Sequence, residues 1–187
     1  MNKAVFLDRD GTINVEKNYL YRIEDFEFID GSIDAMRMLQ DAGYLLIIIT
    51  NQSGIARGYY SEDDFLKLNS WMTETLKNEG VKISKVYYCP HLPTASVEDY
   101  RQECCCRKPK TGMFLQAVSD YQLDLNQCYA IGDKIRDLAI CDESNCQGFL
   151  ISDHEKPDVI EQAQKGLITR VRYASDLSEA AKSIIDG

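Results

Sequence analysis

Asp8-Arg9-Asp10-Gly11-Thr12 sets two carboxylates two residues apart, directly after the apolar run Ala4-Val5-Phe6-Leu7. If the chain turns there, both can face one point, and Gly11 permits the positive φ or close backbone approach that such a turn needs. A carboxylate so placed can attack phosphorus and become an aspartyl phosphate. Its neighbour can give a proton to the leaving oxygen and later take one from water. Mg²⁺ suits the pair, because it takes one or two carboxylates and accepts a substrate phosphate oxygen. Accelerations of phosphate monoester hydrolysis reach about 10²¹, so further groups must act with the two acids. Thr50 and Asn51, ahead of Gln52-Ser53-Gly54, offer neutral donors to phosphate oxygens, Lys108 a point positive charge, and Gly132-Asp133 a third carboxylate. Nucleophile, acid/base, hydroxyl, lysine and distal metal-binding acid make a full phosphoryl-transfer set.

These residues need a scaffold that gathers them. Ala4–Leu7 ends at Asp8, Tyr44–Ile49 at Thr50-Asn51, Val86–Tyr88 at Cys89, Cys128–Ile131 at Gly132-Asp133, and Gly148–Ile151 at Ser152-Asp153. Apolar runs without alternation suit strands buried on both faces. Helical patterns lie between them. Ile33, Met36 and Leu39 precede Gly43; Ser61, an N-cap, precedes the stripe Phe65, Leu68, Met72, Leu76; Phe114, Ala117, Val118, Tyr121 form another, and Ile135, Leu138, Ala139 begin a fourth. Alternating strands and helices predict an α/β fold, a Rossmann-like, doubly wound parallel sheet. Such sheets bind ligands at the carboxyl ends of their strands, where Asp8, Thr50 and Asp133 fall.

The chain has 187 residues and a formal charge of −9. That length predicts one domain, residues 1–187, and the charge argues against nucleic acid or an anionic membrane as partner. The longest purely apolar run, Leu45–Ile49, is far short of the ~20 residues of a membrane span, and Ala4–Leu7 is too short for a signal-peptide core. A cytoplasmic location is expected, where cysteines stay reduced. The count of seven also forbids complete internal pairing.

Cys89-Pro90-His91 is followed by twelve residues and then Cys104-Cys105-Cys106. Cys89, His91, Cys104 and Cys106 make three thiolates and one imidazole, a closed set for structural Zn²⁺. Cys105 alternates with its neighbours and is expected to point away, although it could replace either as ligand. The predicted zinc-stabilised loop, about 89–108, runs straight into Arg107 and Lys108, so holding it positions two cations.

The four motifs Asp8-Arg9-Asp10-Gly11-Thr12, Thr50-Asn51, Lys108 and Gly132-Asp133 resemble those of the haloacid-dehalogenase-like phosphatase superfamily, in its order and at suitable spacings. Longer strings, Ile29-Asp30-Gly31, Thr50–Gly58, Tyr88–His91, Cys106–Pro109 and Gly132-Asp133-Lys134, resemble its heptose bisphosphate phosphatase branch, whose near relatives are the histidinol-phosphate phosphatases. The resemblance runs from about residue 4 to 150. It implies Asp8 as nucleophile and Asp10 as proton donor. Mg²⁺ would be held by Asp8, Asp133 and the backbone carbonyl of Asp10, and Lys108 would stabilise the transferring group. It further implies substrate contacts from Glu16, Lys17, Asn18 and Tyr19, from Thr50, Asn51, Gln52 and Ser53, and from Arg107 and Lys134. It supports zinc in the cysteine loop and implies no large cap domain. The implied substrate is a small sugar phosphate, a heptose 1,7-bisphosphate cleaved at C7 on the way to nucleotide-activated heptose for lipopolysaccharide or surface glycans. Histidinol phosphate is the alternative substrate. A receiver-like phospho-accepting signalling domain is the alternative of a different class. The chain is expected to work as a monomer.

Several residues stay open or fall away. Asp137 either orients Lys134 or is a plain surface acid. Arg57 either meets a second phosphate or pairs with an acid. His154 reads as a surface residue, Trp71 as packing, and Cys128, Cys141 and Cys146 as small core residues.

Overall fold

The computed structural model describes residues 1–151 and 155–187. His154 and the preceding Ser152-Asp153 lie outside the described residues.

The apolar runs become strands because each is buried on both faces. In β1 (Ala4–Leu7), Ala4 and Phe6 enter one core while Val5 and Leu7 enter the other. β2 (Leu45–Asn51) divides likewise, with Ile47 and Ile49 on the first side and Leu46 and Ile48 on the second. β3 (Ile83–Cys89), β4 (Tyr129–Gly132), β5 (Gln147–Ile151) and β6 (Val171–Ala174) complete an all-parallel sheet of order β3-β2-β1-β4-β5-β6. The chain winds outward from β1 through β2 to β3, then returns to place β4 on the other side of β1. That reversal opens a crevice at the carboxyl ends of β1 and β4, the topological switch point of a doubly wound sheet.

Helices cover both faces. α1 (Ser32–Asp41) sends Ala35, Met36 and Leu39 into one core. α2 (Ser53–Arg57) is a short turn after β2, and α3 (Glu62–Asn78) starts at a capping box: Ser61 Oγ accepts from Asp64 N–H at 3.1 Å, and the Asp64 carboxylate accepts from Ser61 N–H at 3.0 Å. α4 (Gly112–Tyr121) buries Met113, Phe114 and Ala117 in the opposite core. α5 (Ile140–Glu143), α6 (Pro157–Gln164) and α7 (Leu177–Asp186) follow, and Leu177, Ala180 and Ile184 of α7 meet the α1 side. Trp71 packs on Phe26 and Phe28, with ring centroids 5.3 and 6.4 Å away. Among the described residues no separate cap is inserted.

Two local expectations are corrected. Ile135–Leu138 forms a short 3-10 turn rather than the first turn of a helix, and α5 begins only at Ile140. β6 was not foreseen: its four residues Val-Arg-Tyr-Ala have buried ends and a more exposed middle, too brief a pattern to stand out.

The Phe6 ring is 1% exposed and stands edge-on to Phe114 at 5.2 Å. Phe6→Ala is expected to lower unfolding free energy by about 3–5 kcal/mol, whereas Leu167→Ala, at a side chain 69% exposed, should change it by less than about 0.5 kcal/mol. Urea denaturation of both variants checks the contrast.

Candidate active site

The switch point brings Asp8 and Asp133 side by side. Asp8 N–H donates to the Ile131 carbonyl at 3.0 Å, extending the β1–β4 ladder by one bond and fixing the residue at the strand end. Gly11, at φ +82°, is a glycine for a visible reason: a Cβ there would lie 2.4 Å from Asp133 Oδ2. Gly132 serves Asp137 in the same way, since its Cβ would lie 2.3 Å from that of the aspartate. Lys108 enters from across the sheet, its side chain 1% exposed. Its ammonium donates to Asp8 Oδ1 at 2.8 Å, to the Ile49 carbonyl at 2.7 Å, and to Asp137 Oδ1 at 2.7 Å. All three of its protons are therefore satisfied.

Asp137 is thus not a surface acid. Its second oxygen accepts the Lys134 N–H at 3.0 Å, so it does order that residue's backbone, but its charge partner is Lys108. Oxygen atoms of Asp8, Asp133 and Asp137 all lie within 4.8 Å of one another. Three carboxylates against one ammonium leave two negative charges, the complement of one divalent cation. The strain of that imbalance is visible in acidity. Burial, then the charges of Asp8 and Asp137, push Asp133 up to about 8. Burial and the charge of Asp137 also raise Asp8, against the pull of Lys108. Hard oxygen donors with surplus negative charge fit Mg²⁺.

Asp10 stands outside this group of three and has donors of its own. Its Oδ1 accepts from Arg9 Nη2 at 2.9 Å and Asn14 Nδ2 at 3.0 Å, and its Oδ2 from Arg9 Nε and Gln52 Nε2, both at 3.1 Å. Gln52 is 2% exposed and fully engaged: the same Nε2 donates to Thr50 Oγ1 at 2.9 Å, and Oε1 accepts from Tyr60 at 2.7 Å. Thr50 accepts through its oxygen and so keeps its own proton free for a phosphate. Asn51 binds the main chain of Lys108 at both ends, donating to its carbonyl at 3.1 Å and accepting its N–H at 3.0 Å.

The cysteine loop closes on itself just before Lys108. Cys89 Sγ lies 3.5 Å from Cys104 Sγ, 3.1 Å from Cys106 Sγ and 3.8 Å from His91 Nδ1, and Cys106 Sγ lies 3.5 Å from that nitrogen. Bonds of about 2.3 Å to sulfur and about 2.1 Å to nitrogen place tetrahedral ligand atoms about 3.6–3.8 Å apart. Three of these distances come close to that and Cys89–Cys106 is shorter, and three thiols with one imidazole are a soft donor set that suits Zn²⁺. Cys105 is exposed and outside the set, and all seven cysteines are unpaired. Its carbonyl instead accepts the Gly112 N–H at 3.0 Å.

Two adjoining cavities complete the site. The inner one, about 70 Å³, is walled by Asp8, Thr50, Lys108, Asp133 and Asp137. The outer one, about 430 Å³, takes in Glu16, Asn18 and Tyr19 from the first loop, Gln52 and Ser53 after β2, and Arg107. Asp10, Glu16, Asn51, Lys134 and Arg136 border both. Asn18 and Tyr19 adopt left-handed φ values of 49° and 64°. Lys17 goes elsewhere: its ammonium pairs with Glu27 at 3.0 Å and borders neither cavity. Sequence reasoning passed over Arg9, Arg136 and Tyr60. Arg136, on the 3-10 turn after Asp133, had a findable signal, since it stands two residues beyond Lys134 in a motif already singled out. With the Arg9–Asp10 pair set aside, the outer cavity carries Arg57, Arg107, Lys134 and Arg136 against a single acid, Glu16. Burial, and then the charges of Arg136 and Arg57, hold Arg107 below its ordinary range.

Comparison with known proteins agrees with this geometry. Residues 3–158 match the family described as polynucleotide kinase 3 phosphatase. The D-glycero-beta-D-manno-heptose-1,7-bisphosphate 7-phosphatase of Pasteurella multocida is 43% identical over 184 residues, 98% of this chain and 99% of its own. The protein of that name from Haemophilus influenzae is 52% identical over 138 residues, 74% of each chain. Among solved structures, the D,D-heptose 1,7-bisphosphate phosphatase of B. bronchiseptica, complexed with magnesium and phosphate, superposes with a TM-score of 0.82 at 28% identity, over 100% of this chain and 99% of that one. The receiver-like alternative finds no support in these relatives. The chain belongs to the D-glycero-beta-D-manno-heptose-1,7-bisphosphate 7-phosphatase family of haloacid-dehalogenase-like phosphatases.

Proposed function

We propose that this chain removes the 7-phosphate of D-glycero-β-D-manno-heptose 1,7-bisphosphate in the cytoplasm. The observation that carries the substrate is the excess of cations in the outer cavity, which directly adjoins the Asp8–Lys108 centre. A substrate with a second phosphate satisfies those charges; the cationic side chain of histidinol phosphate does not. The names of the relatives point the same way.

Asp8 and Asp133, with the main-chain carbonyl of Asp10, would hold Mg²⁺, which supplies charge neutralisation for the transferring phosphoryl oxygens. The protein's own groups do the rest. An Asp8 carboxylate oxygen attacks phosphorus, and the bond from phosphorus to the sugar oxygen breaks. Asp10 gives that oxygen a proton. Lys108 offsets the charge on the phosphoryl group, and Asp137 fixes the lysine head from the far side. Thr50 and Asn51 offer donors to the phosphoryl oxygens. Asp10 then takes a proton from water as the water oxygen attacks the aspartyl phosphate, which releases phosphate and restores Asp8.

Phosphate release measured side by side on the heptose bisphosphate and on histidinol phosphate is expected to give the higher kcat/KM for the former, and the reverse order would remove the substrate assignment. Asp8→Asn should abolish turnover with an unchanged melting curve, because an amide oxygen does not attack phosphorus.

Arg57, Arg107 and Arg136, which line the outer cavity, would bind the phosphate that stays on the sugar. Arg136 is exposed, so truncation should not disturb the fold. Arg136→Ala is expected to raise KM for the bisphosphate about tenfold, a loss of about 1.4 kcal/mol, with kcat little changed. KM for the heptose 7-monophosphate should hardly move.

Zinc in the loop would act by position alone, since four protein ligands leave no open site. Elemental analysis should find one zinc per chain held by Cys89, His91, Cys104 and Cys106. Stripping it with a strong chelator and restoring Mg²⁺ should lower both melting temperature and turnover. Unchanged kinetics in zinc-free, folded protein would cut the link between the loop and Lys108.

A further inference from the structure

Between the two acids of the first loop stands Arg9, 1% exposed. A guanidinium is costly to bury unless it is paired, so its partners show what keeps it there. Its Nε and Nη2 reach Asp10 Oδ2 and Oδ1 at 3.1 and 2.9 Å, one donor on each oxygen. Nη2 also reaches the Leu20 carbonyl at 3.3 Å, and the guanidinium lies over the Phe65 ring, 5.6 Å from its centroid. No other carboxylate lies within ion-pair distance among the described residues.

A planar fork that holds both oxygens fixes a carboxylate in rotation as well as in position, which a point charge does not. Phe65, at 1% exposure, backs the fork. Leu20 closes the loop that carries Glu16, Asn18 and Tyr19 into the outer cavity. Asn14 and Gln52 each hold one Asp10 oxygen, and among the described residues neither side chain hydrogen-bonds to residues 16–20. Arg9 alone bonds to both, so the loop that meets the sugar and the acid that serves its leaving oxygen share one anchor.

We propose that Arg9 is a positioning residue: it sets the orientation of Asp10 and ties it to the 16–20 loop, acting on catalysis through Asp10 without taking part in bond changes. The inference rests on the phosphatase reading, with Asp8 as nucleophile and Asp10 as acid and base, but not on the identity of the sugar.

p-Nitrophenyl phosphate separates this role from others. In the first step an Asp8 oxygen bonds to phosphorus and the aryl oxygen departs with the electron pair as p-nitrophenolate, which needs no proton. In the second, water attacks phosphorus, its proton goes to Asp10, and the phosphorus–Asp8 bond breaks. Arg9→Met, nearly isosteric and uncharged, should therefore release its first p-nitrophenolate near the wild-type rate, one per chain, and then stall. Its steady-state rate should fall about 10²-fold, the lower end of what a general acid–base group contributes. Arg9→Lys keeps the charge without the fork and should show the same burst and stall, which keeps the inference testable if the Met variant fails to fold. Slowing of both steps alike in a folded variant, or a raised KM with an unchanged steady-state kcat, would overturn it, as would full activity in the Lys variant. A wild-type chain that releases no p-nitrophenolate would overturn the phosphatase reading, and this inference with it.

Discussion

The site is organised around one buried ammonium. Lys108 sits between Asp8 and Asp137 with its three protons spent on those two carboxylates and on a strand-end carbonyl. Burial alone would pull the lysine towards neutrality, but Asp137 and Asp8 outweigh it and hold its pKa above the usual lysine value. Removing the lysine would leave its carboxylates uncompensated in the interior, whereas losing the Asp8 charge alone leaves the ammonium paired with Asp137. Everything around it follows from that requirement: strand ends that deliver Asp8 and Asp133, glycines that let the acids approach, and a surplus of negative charge that a divalent ion would neutralise.

A division of labour follows. The inner cavity is small and acidic, suited to a phosphoryl group and its metal. The outer cavity is larger and cationic, suited to the remainder of an anionic substrate. The loop that carries the Cys/His cluster contributes to both, through Lys108 inside and Arg107 outside. A metal staple would suit this loop, since residues 90–103 have little core of their own beyond Leu92, Ala95 and Tyr100 against Ala56.

Much of this was legible in the chain. Asp8, Thr50 and Asp133 stand where uninterrupted apolar runs meet polar residues, and a parallel sheet must bring such points together. The Cys/His spacing was equally plain, because ligand-x-ligand pairs rarely arise for packing reasons. What escaped depended on tertiary context. Arg9 between two acids reads as a solvated charge until Phe65 and Leu20 are known to cover it. Asp137 reads equally as an orienter of Lys134 or as a surface acid until Lys108 is seen to arrive from a segment some thirty residues earlier. Lys17 belongs to the loop that the resemblance gives to the substrate, yet Glu27 claims it. β6 is too short for its pattern to separate it from a loop.

Asn51 clasps the backbone of Lys108 as a neighbouring strand would, with one bond in each direction. The lysine is thereby indexed to β2 as well as to the cysteine loop just before it. The stretch between the two ligand pairs is then free to lengthen, shorten or change composition over evolutionary time without shifting the ammonium. One anchor of this kind lets that stretch vary while the phosphorus chemistry is inherited intact.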